Sequence, residues 1–150
     1  MEKSKDKKKT SLEALVLVLV LASAFIGLYL VAEHIEEENE VGKTDTPLNV
    51  SLIITKEGGW TIEYLDLETF NNTVFKLLEE CSKRYDFPVA YTFWHGYDSI
   101  FINSINGTSN GEDGRWWQYY VNNDYGDVGC DRKEIFEGDF VEWRFEEPGQ

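Results

Sequence analysis

From Ala14 to Ala32 the chain reads ALVLVLVLASAFIGLYLVA, a run without a single charge. Wound as a helix rising 1.5 Å per residue, it is just long enough to cross a hydrocarbon core about 30 Å thick. The preceding flank is KSKDKKK and the following one EHIEEENE. Lysines stay on the cytoplasmic side of a membrane helix. The expected layout is therefore a basic cytoplasmic tail (1–11), a transmembrane anchor (12–32), an acidic linker (33–47) and an extracellular domain (48–147). On this reading the chain is expected to be a single-pass membrane protein with its amino terminus inside and the bilayer as its first partner. Ala22-Ser23-Ala24 has the small-x-small form of a signal-peptidase site. However, FIGLYLVA continues the apolar stretch past it, and cleavage there would leave a greasy new terminus. An uncleaved anchor is the preferred reading.

Glu13 sits at the edge of this run, where a carboxylate must snorkel, protonate or find a partner. In the first helical turn after Ser11, a possible N-cap, it would be favoured by the helix dipole. The string KKKTSLEALVLVLVLASAF also resembles the amino terminus of archaeal type IV pilin-like proteins. That resemblance implies processing between Lys8 and Lys9 and an assembly role for Glu13, which would neutralise a neighbouring subunit's amino terminus. The small residue usual before the cut is replaced here by Lys.

Residues 1–32 carry five Lys against three carboxylates, and the remainder carries nine basic residues against 25 acidic ones. A polyanionic domain repels phosphate backbones, so nucleic acid is excluded as a partner. Aromatics make up 15% of the chain, too many for a disordered acidic tail, so the second half should fold.

LNVSLIIT (48–55) and WTIEYLDL (60–67) alternate apolar and polar residues around the turn KEGG, the pattern of a β-hairpin. NNTVFKLLEECSKRY then places Val74, Leu77, Leu78, Cys81 and Tyr85 on one helical face, with Asn71 or Asn72 as N-cap. Further strands are expected at 89–94, 99–105, 116–121 and 139–145. A hairpin, a helix across it and more strands make an α+β fold of β-grasp-like order.

Cys81 and Cys130, both outside the membrane on this reading, are candidates for a disulfide; Cys81 also fits an ordinary core position. With His34 and His95 they have no zinc-ligand spacing. Asn49, Asn71 and Asn106 each open an N-glycosylation sequon. No nucleophile–base arrangement and no phosphate-binding loop is visible, so an enzyme is not expected. Asp124, Asp127 and Asp131 with Asn123 offer oxygen ligands of the kind calcium uses, at a spacing that matches no EF-hand.

RWWQYYVNN (115–123) poses the main functional question. In a strand, Trp117, Tyr119 and Val121 share one face, which should be the core face, and Trp116, Gln118 and Tyr120 share the other. Trp116 and Tyr120, with Trp94, His95 and Tyr97 from another loop, suggest a platform for a ligand.

SIFINSINGTSNGEDGRWWQYYVNN…VGCDRKEIFEGDFVEWRF resembles the transcobalamin-like C-terminal domain family. The matching positions are Ile105-Asn106-Gly107, Trp117, Tyr119, Val121, Asn122, Gly129, Gly138-Asp139 and Trp143, and the chain departs at Asn123, where that family usually has Gly. The resemblance implies a β-grasp-like domain that closes over a cobalamin as half of a two-domain clamp. The large helical half is not among these 150 residues. It also makes Trp117 and Tyr119 ligand candidates beside Trp94, Tyr97, Trp116 and Tyr120. The expected function is an anchored extracellular binding module for a corrinoid or another partly apolar molecule, working with a transporter or partner subunit. A pilin-like structural subunit and a calcium-binding surface domain are the alternatives.

Overall fold

The computed structural model describes residues 18–31 and 42–149, which fall into two units divided between Val41 and Gly42. In the first, residues 18–31 form a helix (α1) whose apolar side chains are all exposed. Among the described residues no helix is long and apolar enough to cross a membrane. Glu13, the Lys8–Lys9 bond and the two ends of the expected anchor lie outside the described residues.

The second unit is mixed α+β and mostly sheet. Its strands are β1 (Lys43–Lys56), β2 (Trp60–Asn71), β3 (Val89–Trp94), β4 (Ser99–Ile105), β5 (Thr108–Ser109), β6 (Trp116–Val121), β7 (Asp124–Tyr125) and β8 (Phe140–Glu146), with helix α2 (Val74–Tyr85) after β2. A five-stranded sheet has the order β2-β1-β8-β6-β7, and a separate three-stranded sheet the order β3-β4-β5; neither is a closed barrel. β1 and β8 run parallel, and every other pairing is antiparallel.

The alternation read in the sequence places the core. Val50, Leu52 and Ile54 of β1, Val141, Trp143 and Phe145 of β8, and Trp117, Tyr119 and Val121 of β6 all point to one side of the large sheet. α2 lays Val74, Leu77, Leu78 and Cys81 against them. Truncating Leu77 or Leu78 to Ala in so closed a site would cost about 2–5 kcal/mol.

Three boundaries differ from the sequence reading. β1 begins at Lys43, opposite Asn71, so residues 43–47 belong to the sheet and not to a linker. The N-cap of α2 is Thr73, neither Asn71 nor Asn72: its hydroxyl accepts from the Lys76 amide at 3.3 Å, while Asn71 reaches Glu80 instead. In β2 the alternation breaks where Leu65 and Asp66 together oppose Ser51, a β-bulge with Asp66 at φ 53°. The bulge turns Leu65 out to solvent and returns Leu67 and Thr69 to the core.

Two tight hairpins carry the remaining strands. Ile105 pairs with Thr108 across Asn106-Gly107 (φ 47° and 77°), and Val121 pairs with Asp124 across Asn122-Asn123 (φ 52° and 71°). Both central residues are left-handed in each, as a type I′ turn requires. Asn is the residue after Gly that best tolerates this conformation, so Asn123 preserves the turn where the transcobalamin-like pattern has Gly.

Candidate functional site

The three-stranded sheet leaves much of its surface to solvent. Every residue from Ala90 to Asp98 is exposed. Trp94 at the end of β3, Tyr97 in the turn and Phe101 on β4 gather edge to face, with ring centroids 4.8 Å (Trp94–Tyr97) and 5.5 Å (Trp94–Phe101) apart. Trp94 keeps 52% and Tyr97 71% of its surface open, far more than packing alone would leave.

The segment after β7 faces this cluster. Asp131 pins it: its Oδ1 accepts from the Ser99 hydroxyl and, at 3.1 Å, from the Ile100 amide. The Tyr119 hydroxyl donates to the Val128 carbonyl at 2.5 Å, and the Gly126 amide donates to the Tyr119 carbonyl at 2.9 Å. Burial pushes the Tyr119 phenol well above its ordinary range, so it stays protonated to make that bond. Gly126 and Gly129 lie so close to the Tyr119 ring and to Ser99 that any side chain there would overlap them.

Between the aromatic cluster and this loop lies an open depression of about 350 Å³, lined by Trp94, Tyr97, Phe101 and Val128 with Asp127 and Arg132 at its rim. Both rim charges are neutralised: Arg132 pairs with Asp98 at 2.7 Å and Asp127 with Lys133 at 3.1 Å. The Lys133 hydrogen bond holds Asp127 below the usual carboxylate range. A second cleft of about 190 Å³ shares Ile100, Phe101, Val128 and Gly129 with the first and reaches down to Trp117, Tyr119 and Trp143. It exists because β7 pairs only with Tyr120 and Val121, leaving residues 117–119 of β6 without a strand partner on the side of β4. Asn110 spans the gap, donating to the Ile102 carbonyl at 2.6 Å and accepting from the Trp117 amide at 2.7 Å. An aromatic wall with paired charges at its mouth can stack a flat, partly apolar molecule.

The six aromatic candidates thus divide three ways. Trp94 and Tyr97 come together in the open depression. Trp117 and Tyr119 are buried core residues that only floor the adjoining cleft. Trp116 and Tyr120 lie on the opposite face of the large sheet, and the free platform read from them there is corrected for Tyr120. That ring is 7% exposed, with the Arg144 guanidinium 4.0 Å above it, Tyr125 against its edge and its hydroxyl donating to Glu146. Only Trp116 remains partly open there. His95 packs on Phe93. The sequence reading missed Phe101, Val128, Arg132 and Gly126, and it met Gly129 only as a position of the transcobalamin-like motif. The spacing of Gly126 and Gly129 in an otherwise acidic loop was a signal of the close approach there.

The disulfide expectation is also corrected. Cys81 and Cys130 are both free and buried, each pushed up to about 12 by burial. Cys81 faces the core from α2, while the Cys130 thiol donates to the Ile100 carbonyl at 3.6 Å. The acidic loop does not gather into a calcium site: Asp127 is taken by Lys133, Asp131 by Ser99 and Ile100, and Asn123 by Arg144. Among the described residues no three His, Cys, Asp or Glu stand together as metal ligands. Of the sequon asparagines, Asn49 bonds Glu137 and Asn71 bonds Glu80, while Asn106 is exposed at the tip of its turn.

Residues 71–147 match the family profile described as "Domain of unknown function (DUF4430)". No curated protein matches the chain. Among solved structures, a candidate metal-binding protein from Ruminococcus gnavus ATCC 29149 is similar with a TM-score of 0.54 at 14% identity, over 69% of this chain and 98% of that one. Haptocorrin in complex with Cbi is similar with a TM-score of 0.58 at 16% identity, over 69% of this chain and 26% of haptocorrin. The chain thus spans about a quarter of haptocorrin's length, and at these identities the likeness is one of fold.

Proposed function

The chain belongs to the DUF4430 family, and on that footing we propose that it is a binding module and not an enzyme, holding a flat, partly apolar small molecule against the Trp94–Tyr97–Phe101 wall. The observation that carries this reading is the open aromatic depression itself, whose rings are exposed while its rim charges are paired. A volume of about 350 Å³ accommodates one flank of a large ligand, as suits half of a clamp. A corrinoid is the first candidate, because a fold shared with haptocorrin in complex with Cbi accompanies the transcobalamin-like motif and a β-grasp-like order of hairpin, helix and a parallel pair of inner strands. Residues 12–32 would anchor the module in the cell membrane with the domain outside, where it passes its ligand to a transporter or to a subunit that completes the clamp.

The test is a tryptophan-fluorescence titration of residues 42–150 with cobalamin and cobinamide, corrected for inner-filter absorption. This segment encloses its own core, drawn wholly from residues 48–145. Saturable quenching in the micromolar range is expected. Trp94→Ala should weaken it about tenfold, the loss of one stacked ring, and Trp116→Ala should not. No saturation up to roughly a millimolar, weaker than about -4 kcal/mol, refutes the corrinoid reading.

A further inference from the structure

The two sheets have unequal edges. β2, the outer strand of the large sheet, carries Glu63, Asp66 and Glu68 and is kinked by the bulge at Leu65-Asp66. These are the devices that keep an exposed edge from pairing with another chain. β3, an outer strand of the small sheet, carries no charge, and the one irregularity in its pairing, between Ala90 and Tyr91, puts the extra residue, Asn103, on β4. The β3 sequence is Val-Ala-Tyr-Thr-Phe-Trp, and from Phe87 to Tyr97 the chain holds no Asp, Glu, Lys or Arg. β4 covers one of its edges, and among the described residues no other strand covers the second. Tyr91, Phe93 and Trp94 remain about half exposed across both faces of the strand.

We propose that β3 pairs antiparallel with β3 of a second copy of this chain, about a two-fold axis, joining two three-stranded sheets into one of six strands. An antiparallel strand pair is self-complementary, so one uncharged segment satisfies both sides of an isologous contact. Local neutrality decides the occupant. The domain is strongly acidic, and two copies would repel through most of their surface. Screening confines that repulsion to about 8 Å at physiological salt, and at this seam no carboxylate opposes another. A basic partner, which the overall charge would favour, finds no carboxylate on β3 to engage. The area also fits. Aromatic side chains bury about 150–250 Å² each, so half of Tyr91 and Phe93 with the strand backbone gives roughly 800 Å² over both copies, the size of a weak, reversible dimer that leaves Trp94 to the depression.

Sedimentation velocity of residues 42–150 across concentration should show a monomer–dimer equilibrium with a dissociation constant in the micromolar range. Phe93→Lys, which sets a charge on the seam, should raise that constant at least tenfold. Glu63→Lys on the β2 edge should leave it unchanged. Hydrogen exchange of the amides in 90–94 should slow as the dimer fills, and this reading needs no variant. Phe93→Lys should retain the corrinoid titration, since Phe93 lies outside the aromatic wall, so the two readings fail separately. A monomer up to about a millimolar, a dimer indifferent to Phe93→Lys, or β3 amides that exchange equally fast in the dimer would each overturn the proposal.

Discussion

Replacing Gly126 by Ala should unlatch the loop that walls the binding depression. A Cβ at Gly126 would lie 2.1 Å from Cζ of Tyr119 and 2.4–2.5 Å from its two Cε atoms, far inside the 3.5–4 Å of a normal carbon contact. The ring has nowhere to retreat. It is buried, its centroid is 5.6 Å from that of Trp143, and its hydroxyl is tied to the Val128 carbonyl. Since the core cannot yield, the loop must lift and break the Tyr119–Val128 hydrogen bond. Overpacking of this kind costs about 1–3 kcal/mol and the lost hydrogen bond about 1 kcal/mol, so about 2–4 kcal/mol is expected. Urea denaturation of residues 42–150 measures it. The assignment of the cost to one ring is checked by a double-mutant cycle: in a Tyr119→Ala background, Gly126→Ala should cost less than about 0.5 kcal/mol. An equal cost in both backgrounds, or a negligible one in the wild type, would refute the argument.

Thr73→Ala should lower stability by about 1 kcal/mol through loss of the α2 cap, whereas Asn72→Ala should leave the cap intact, both read from urea midpoints. Asn110→Ala removes the two hydrogen bonds that join β4 to β6; an overall loss of about 1–3 kcal/mol and faster exchange of the Trp117 amide are expected. Neither Cys81 nor Cys130 should react with a thiol reagent in the native protein, and both should be alkylated after unfolding without reductant, as intact mass will show. Partial burial raises the Glu79 carboxyl, but Lys83 and Lys76 outweigh it and hold the group below the usual carboxylate range. Its contribution is therefore present above the unfolded value and is lost as pH falls through the lower folded one. The advantage of wild type over Glu79→Gln, about 0.3–0.5 kcal/mol per pair at neutral pH, should disappear in acid titrations of stability.

What the sequence made legible was local. Strand alternation set the faces of β1, β6 and β8, because a period of two leaves little choice once one face must be buried. Trp117 and Tyr119 were correctly placed in the core on that basis. Tyr120 was not legible, since its cover comes from Arg144 on β8 and Tyr125 on β7, and pattern alone cannot tell a stacked cation from open water. The cap fell to Thr73 because Asn71 was already engaged by Glu80, a contact between β2 and α2. Trp94 and Tyr97 were legible as exposed aromatics; Phe101 joins them through the register of β3 with β4, and Val128 only through the placement of a loop pinned by Asp131. The bulge at Leu65-Asp66 was invisible for the same reason: it serves the fit of β2 to β1 and has no local signature beyond an Asp at positive φ.

The parallel pairing of β1 with β8 has a consequence for how this chain comes into being. Asn49 and Glu137, bonded beside that pairing, stand 88 positions apart. The central seam of the large sheet therefore waits for the last strand of the domain, Phe140–Glu146, to be made. Closing so long a loop adds an entropic delay, and folds dominated by such contacts are slow. Until Phe140–Glu146 arrives, β1 and β6 each present a bare inner edge, and a nascent or truncated chain would offer both to its neighbours. Deleting Phe140–Glu146 should thus be far more damaging than the loss of one strand suggests, producing aggregates in place of a reduced domain.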